Sequence, residues 1–341
     1  MPVLSLLFAL SALRFCEGAA NNGLRALPCP DPEDIFPCVC TTGSENHMTM
    51  DCSDVASEDE LARVFSSSLP FTKFFLLKIE GNQNLRVLRE GDLGPASFSI
   101  ININGGILEE VQYGALAGSY ATAEVIDLSR NALSALPFHE LPLFTSLSTV
   151  EVNGNLISAI PVLQSASLTG LDLRGNLINE FPVDCFKELI NVMNIFASGN
   201  NIETIFPETF ANLPLLNYVD LSDNTLSNIP KGAIAFISTD KGYINLRSNI
   251  ISNIEVNAIT GLNAGTLYLN GNSLSVLEED VFRPILEGGA TVYLNENPLQ
   301  CGCDVAWLVT NPALLALIPK ATCYNGESLE DLDPSIFEDL C

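Results

Sequence analysis

The chain of 341 residues carries 41 acidic and 15 basic side chains, which gives it a formal net charge of −26. Nucleic-acid backbones and anionic membrane surfaces are bound by basic protein surfaces, so this balance argues against both as partners. A cationic partner or bound cations fit the charge better. The length alone would predict two or three domains.

The first 20 residues have the pattern of a secretory signal peptide. The apolar run Val3–Leu13 is followed by the small residues Gly18, Ala19 and Ala20, near which we expect cleavage. The residues before the run lack lysine and arginine, which departs from the usual pattern, and the run is too short to span a bilayer. We therefore predict a secreted, extracellular protein.

Eight of the ten cysteines form two groups of four, one near each end of the chain. The groups are Cys29, Cys38, Cys40 and Cys52, and Cys301, Cys303, Cys323 and Cys341. Even-numbered groups in a secreted chain predict disulfides, with three connectivities open in each group. Zinc is the alternative, but the CxC spacing differs from the paired CxxC of zinc sites, and only His47 lies nearby. Cys185 stands alone and is predicted to be a packed thiol, with an intermolecular disulfide as the alternative.

A leucine-rich pattern recurs between the two cysteine groups. Its clearest copy is Val125–Pro137, which follows the pattern LxLxxNxLxxL with its asparagine at Asn131. Copies aligned on the asparagine lie 21–25 residues apart, within the range of roughly 20–29 residues that is typical of leucine-rich repeats. The ten aligned positions, which also name the repeats, are 82, 106 (a glycine), 131, 155, 176, 200, 224, 249, 272 and 297. This regularity predicts an α/β repeat solenoid, a horseshoe with a parallel concave sheet.

Each repeat is expected to contribute one short strand and one return arm. The LxL leucines should enter the core because side chains alternate along a strand, and the asparagine can hydrogen-bond backbone groups of neighbouring repeats. Since each repeat contacts only its neighbours, the two ends need caps. A second apolar ladder is predicted on the return arms, at Leu93, Leu116, Leu141, Phe186, Phe210, Ile234, Ile259 and Phe282.

The cysteine groups resemble the N- and C-terminal caps of extracellular leucine-rich repeat proteins, including the segment NPLQCGC at Asn297–Cys303. That resemblance implies four disulfides. The implied pairs are Cys29–Cys40, Cys38–Cys52, Cys301–Cys323 and Cys303–Cys341. We expect a signal peptide at residues 1–20, an N-terminal cap at 21–65, a solenoid of about ten repeats at 66–299 and a C-terminal cap at 300–341.

A narrower resemblance covers nearly the whole chain after the signal peptide. The cap segment Cys29–Phe65, followed by the repeats, is similar to the non-catalytic subunits of crustacean luciferin 2-monooxygenases. This resemblance implies a binding or scaffold protein that holds a small secreted catalytic subunit of luciferase type.

The concave face, formed by the outward side chains of the stacked strands, is where we expect a binding site. Asp127, Glu151 and Asp172 should form a row of carboxylates about 4.8 Å apart, which favours a proton, a cation or a basic partner. An adjoining aromatic cluster predicts a contact surface. The predicted partner-binding residues are Asp127, Glu151, Asp172, Phe196, Tyr218, Asp220, Tyr243, Tyr268 and Tyr293. A merely solvated strand face is the alternative for the acidic row.

Enzyme motifs are not found. His139 and Glu140 begin like HExxH, but Leu143 takes the place of the second histidine. There is no GxSxG, Walker loop or helix-opening GxGxxG, and two histidines leave little material for a catalytic triad. We expect no catalytic residue, cofactor or metal site. Carboxylates about 5 Å apart would suit a retaining glycosidase, but an open strip does not exclude water.

The sequence therefore predicts a non-enzymatic binding or scaffold subunit with a protein partner on its concave face. The second hypothesis is a free-standing extracellular recognition protein for protein or glycan ligands, in matrix, adhesion or innate immunity. No apolar run of transmembrane length follows the second cap, so we expect no membrane anchor. No pattern points to a homo-oligomer.

Overall fold

The computed structural model describes residues 29–44, 47–237 and 241–341. The predicted signal peptide at 1–20, with Cys16, and the first residues of the predicted N-terminal cap lie outside these ranges. No helix in the described ranges is long and apolar enough to cross a membrane.

A twelve-stranded sheet runs through the molecule, parallel throughout except for its first pair of strands. In chain order and spatial order alike, its strands are β1 (Val39–Thr42), β2 (Met48–Asp51), β3 (Lys73–Glu80), β4 (Ser97–Asn104), β5 (Val125–Asp127), β6 (Thr149–Glu151), β7 (Gly170–Asp172), β8 (Asn194–Phe196), β9 (Tyr218–Asp220), β10 (Tyr243–Asn245), β11 (Thr266–Tyr268) and β12 (Thr291–Tyr293). The predicted repeat solenoid with a parallel sheet is confirmed. The sheet begins earlier than the repeats, because β1 and β2 of the N-terminal cap join it.

The return arms are mostly turns. Short strands on successive return arms form three parallel pairs. These are Val87–Leu88 with Glu110–Val111, Asn228–Ile229 with Asn253–Ile254, and Ile234–Ala235 with Ile259–Thr260. The α-helices are α1 (Pro32–Ile35), α2 (Glu58–Ser66), α3 (Glu279–Glu287), α4 (Ala306–Val309), α5 (Pro312–Leu315) and α6 (Pro334–Leu340). Of these, α3 lies on the return arm of repeat 272, and the others belong to the caps. All eight residues predicted for the return-arm ladder are buried.

The asparagines form the expected hydrogen-bonded ladder, as Asn200 illustrates. Its Nδ2 donates to the carbonyl oxygens of Leu173 and Ala197 at 3.0 and 3.1 Å, and its Oδ1 accepts from the backbone N–H of Ile178 at 3.1 Å. Its side chain is buried, so it satisfies backbone groups that water cannot reach. The same contacts recur at Asn155, Asn176, Asn224, Asn249, Asn272 and Asn297.

Gly106 interrupts this ladder for a steric reason. A Cβ at this position would lie 2.6 Å from the carbonyl oxygen of Asn82, closer than any side chain tolerates. The next asparagine keeps its regular ladder contact, since the Oδ1 of Asn131 accepts from the N–H of Leu108 at 3.1 Å. Close backbone approach therefore explains the glycine at an asparagine position.

The N-terminal cap covers the first repeat with α2. Ser57 Oγ accepts from the N–H of Glu60 at 3.2 Å and starts the helix, and the Glu60 carboxylate accepts from the N–H of Ala56 at 2.7 Å. Leu61 and Phe65 lie on the buried face of the helix, at the spacing of one turn. The cap thus shields core that the first repeat would otherwise expose to water.

Four disulfides lie within the two caps. They are Cys29–Cys40, Cys38–Cys52, Cys301–Cys323 and Cys303–Cys341, the pairs that the resemblance to capped repeat proteins implies. Cys185 is a buried free thiol, with its Sγ 3.6 Å from the carbonyl oxygen of Pro161. Burial raises the pKa of this thiol, so it is an unreactive packed cysteine.

Candidate functional site

The central row of the concave face is one continuous line of paired positions. The pairing register places each of its residues directly beside the next, without a slip. The row consists of Lys78, Asn102, Asp127, Glu151, Asp172, Phe196, Asp220, Asn245, Tyr268 and Tyr293. Seven of the nine predicted partner-binding residues therefore share this row.

A flanking row lies two residues earlier on each strand and faces the same side. It contains Leu76, Ile100, Val125, Thr149, Gly170, Asn194, Tyr218, Tyr243, Thr266 and Thr291. The two remaining predicted residues, Tyr218 and Tyr243, are neighbours here. Leu76, Ile100 and Val125 are half-buried and were missed by the sequence analysis, although the alternation along each strand places them on this face.

Two of the three central carboxylates already have partners. Asp172 is buried, and its carboxylate accepts hydrogen bonds from the Nε and Nη2 of Arg174 at 2.9 and 2.5 Å. Asp127 accepts from the Nδ2 of Asn104 at 2.6 Å and from the N–H of Ser129 at 2.9 Å. Both groups therefore also have a structural role in holding the strand face together.

Glu151 differs from both neighbours. Its half-buried carboxylate has no hydrogen-bond or ion-pair partner among the described residues. Burial raises the pKa of Glu151, and the charges of Asp127 and Asp172 raise it further, while Arg174 opposes them. This carboxylate lacks the donor that a partly buried anion requires.

A small cavity, here called the Gly170 notch, opens beside Glu151. Its volume is about 60 Å³, and it is lined by Thr149, Glu151, Gly170, Leu171, Asp172, Arg174 and Phe196. The notch exists because Gly170 leaves a gap in the flanking row between Thr149 and Asn194. It has room for a few water molecules, and hence for the head of one side chain.

The aromatic patch, defined as Phe196, Tyr218, Tyr243, Tyr268 and Tyr293, lies on the C-terminal half of the face. The ring of Tyr218 lies 5.2 Å from that of Phe196 and 5.9 Å from that of Tyr243, measured between centroids. Tyr268 and Tyr293 stack at 5.0 Å. Burial raises the pKa of Tyr218 to about 12, with a further contribution from Asp220, so its hydroxyl stays protonated and can donate a hydrogen bond.

Asp220 lies between the two halves of the aromatic patch on the central row. It accepts from the N–H and the Oγ of Ser222 at 3.0 and 2.7 Å. Burial raises its pKa, and these two hydrogen bonds act in the opposite direction. The Ser222 contacts fix its orientation on the strand.

The basic residues that the sequence places on this face are neutralised by acidic neighbours. Lys78 Nζ lies 3.0 Å from Asp51 and 3.4 Å from Glu80, and Arg247 lies 3.6 Å from Asp223. Arg174 is held by Asp172 as described. The central row consequently presents unbalanced negative charge around Glu151.

The histidines and acidic side chains of the described ranges form no metal-binding cluster. Both histidines are exposed and stack on aromatic rings, His47 on Phe75 at 4.0 Å and His139 on Tyr113 at 5.3 Å. No group of three or more His, Cys, Asp or Glu side chains there could hold a metal ion. The chemistry that this face offers is recognition by charge and aromatic contact.

Comparisons with known proteins agree with the repeat architecture. Residues 166–238 match the family model for the leucine rich repeat. The chain is 32% identical over 126 residues to the leucine-rich repeat-containing G-protein coupled receptor 5 of Rattus norvegicus, which covers 37% of this chain and 14% of the receptor. A chain in the octameric complex of Latrophilin 3, Unc5D and FLRT2 has the same fold, with a TM-score of 0.61 at 18% identity, over 81% of this chain and 86% of that one.

One relative aligns along nearly its entire length. The Oplophorus-luciferin 2-monooxygenase non-catalytic subunit of Oplophorus gracilirostris is 36% identical over 334 residues, which cover 97% of this chain and 93% of that protein. The repeats, the caps and this alignment together establish that the chain belongs to the leucine-rich repeat family of the Oplophorus-luciferin 2-monooxygenase non-catalytic subunit.

Proposed function

We propose that this protein is a secreted, non-catalytic binding subunit that holds a protein partner on its concave face. The observation that carries the proposal is the aromatic patch beside the unpaired Glu151, on one continuous sheet face. Tyrosine combines a large apolar area with a hydroxyl group, and it is over-represented among the residues that contribute most of the free energy of protein–protein binding.

The rigidity of the face supports a scaffold role. The asparagine ladder and the parallel pairing hold every strand of the central row in register, so little conformational entropy is lost when a partner binds. A partner held in its folded form would be stabilised by mass action, because the subunit binds the folded state and not the unfolded state. This effect requires no catalytic residue.

The nature of the partner is inferred from the relative that aligns over almost the whole chain, which is named a non-catalytic subunit. By that likeness the partner is a small secreted catalytic chain of luciferase type. Secretion follows from the proposed signal peptide at residues 1–20 and agrees with the disulfide-bonded caps, proposed at 21–65 and 300–341 around a solenoid at 66–299. We propose no nucleic-acid partner.

The experiment that tests this proposal is native size-exclusion chromatography of the secreted protein from its source tissue, with mass spectrometry of every co-eluting chain. We expect a small second chain in stoichiometric amount, whose sequence would identify the chemistry. Elution as a lone monomer at every protein concentration would overturn the subunit proposal and favour a free-standing extracellular recognition protein instead.

A further inference from the structure

The Gly170 notch is a gap that the fold itself does not require. Every other residue of the flanking row has a side chain. At Gly170 the backbone is not in the left-handed region, and an added Cβ would find its nearest neighbours in Thr149, at 3.8 and 3.9 Å, which is ordinary van der Waals contact. Because glycine weakens a strand interior, a larger residue here would improve the strand.

The walls of the notch have the chemistry of a cation site. Glu151 lacks a donor from the part of the chain that the structure describes, and the second carboxylate, Asp172, directs its oxygens to Arg174. Asp127 adds a third carboxylate on the strand next to Glu151, whereas Arg174 is the one basic residue in the lining of the notch. A bound cation would give Glu151 its missing donor and would reduce the repulsion along the row.

The notch also suits the aliphatic part of a long basic side chain. Thr149 and Phe196 both line the notch, and the methyl carbon of Thr149 would lie 3.9 Å from a Cβ at Gly170. Lysine and arginine bury their methylene stems along such surfaces while the charged head reaches a polar partner. The small volume admits the end of one side chain and excludes a larger ligand.

We propose that the Gly170 notch binds the cationic head of a single lysine or arginine of the protein partner. This inference rests on the proposed function, because it assigns one contact within the proposed concave interface. Glu151 accepts the hydrogen bonds of the cation, and Gly170 provides the space.

The test uses the full-length folded protein, labelled with nitrogen-15, and three capped tripeptides as probes. The central residue of the tripeptide is arginine, lysine, or citrulline, which has the shape of arginine without its charge. We expect saturable shifts of the Gly170 and Thr149 amides with a cationic peptide and none with the citrulline peptide. The tighter of the two cationic peptides identifies the preferred head group.

Two variants and one control complete the test. Gly170→Val should fill the notch and abolish the peptide shifts, and Glu151→Gln should weaken binding about tenfold or more, as loss of a charge-assisted hydrogen bond predicts. Glu203→Gln makes the same charge change at an exposed carboxylate outside the two rows and should leave binding unchanged. Cooperative thermal unfolding at a temperature no lower than that of the parent, with amide spectra unchanged away from the notch, would establish that the variants fold.

Three outcomes would overturn the inference: equal binding of the citrulline peptide, unchanged binding by Gly170→Val, or no saturable shift at about 10 mM peptide. The proposed function can fail separately. If Gly170→Val retains full affinity for a co-purified partner while alanine variants of the tyrosines lose it, the notch assignment is wrong and the concave interface stands.

Discussion

The guanidinium carbon of Arg174 lies 5.3 Å from the centroid of the Phe196 ring, while the same guanidinium binds Asp172 through two nitrogens. Arg174 therefore joins the acidic row to the aromatic patch. The cation over the ring and the paired carboxylate each restrict the long side chain. The side chain of Arg174, which lines the Gly170 notch, is thereby held in place.

Replacement of Arg174 by alanine should destabilise the protein. Asp172 would remain as a buried carboxylate without its charged partner, and we expect a loss of about 2–3 kcal/mol in the free energy of unfolding. Arg247→Ala is the matched control, because both members of its ion pair with Asp223 are about half exposed, and its loss should be under about 1 kcal/mol. Chemical denaturation of both variants makes the measurement, and equal losses would contradict the prediction.

Replacing one asparagine of the ladder should lower the free energy of unfolding more than replacing the exposed asparagine next to it. Asn200→Ala would leave the buried N–H of Ile178 without its acceptor. It would also remove one of the two side-chain donors to the carbonyl of Leu173, the other being Asn176, and we expect a loss of about 2–4 kcal/mol. The neighbouring Asn201 is exposed, so Asn201→Ala should change stability by less than about 0.5 kcal/mol. The midpoints of urea unfolding would separate the two outcomes, and a mild effect at Asn200 would show that the ladder is not stabilising.

The raised pKa of Glu151 predicts a dependence of stability on pH. The folded state favours the protonated form of Glu151, and this preference stabilises the fold. The stabilisation is fully present below the pKa that Glu151 has in the unfolded chain, and it is lost as the pH rises through the pKa that it has in the folded protein. Glu151→Gln should therefore unfold at the same temperature as the parent in acid and at a higher temperature near neutral pH.

Thermal unfolding from about pH 4 to about pH 8 measures this difference. Glu203→Gln removes an exposed carboxylate and should follow the parent protein across the range. A Glu151→Gln curve parallel to that of the parent would show that this carboxyl group does not titrate differently in the folded state.

The tyrosines of the aromatic patch should dominate affinity for the partner. Replacement of Tyr218, Tyr243 and Tyr268 together by alanine is expected to weaken the complex at least about 100-fold, since buried aromatic anchors each contribute about 2 kcal/mol. Isothermal titration with the co-purified chain provides the measurement.

A matched control for the tyrosine variant comes from outside the concave face. Tyr113 and Tyr324 are more exposed, at 60% and 68%, and lie in a return arm and the C-terminal cap respectively. Their double replacement by alanine should leave affinity within about twofold of the parent. If the tyrosine variant of the patch binds as tightly as this control, the concave face is not the interface.

The fold could be predicted from the sequence because one short pattern repeats at a nearly constant interval. A period of two along each strand, with an asparagine in every repeat except repeat 106, fixes which residues are buried, whatever lies beyond the neighbouring repeats. Ile126 and Leu128 enter the core and Asp127 faces out for this reason. The central row and the return-arm ladder follow from counting alone.

The candidate site could be predicted only in outline. The sequence places Asp127, Glu151 and Asp172 side by side but treats them as equivalent carboxylates. Their difference depends on which donors come within reach, and that depends on the paths of Asn104 and Arg174 in space. The N-terminal hairpin was missed for a similar reason, since its strands lie outside the repeat pattern.

Sequence by itself determined the solenoid, the two groups of cap cysteines and the residues that face the concave side, because these depend on local periodicity and on contacts between adjacent repeats. Only the tertiary structure decided that Asp172 is buried and paired, that Glu151 has no partner among the described residues, and that Gly170 leaves a cavity beside it. Hydrogen bonding and empty space are properties of atoms from several strands at once. No single repeat contains them.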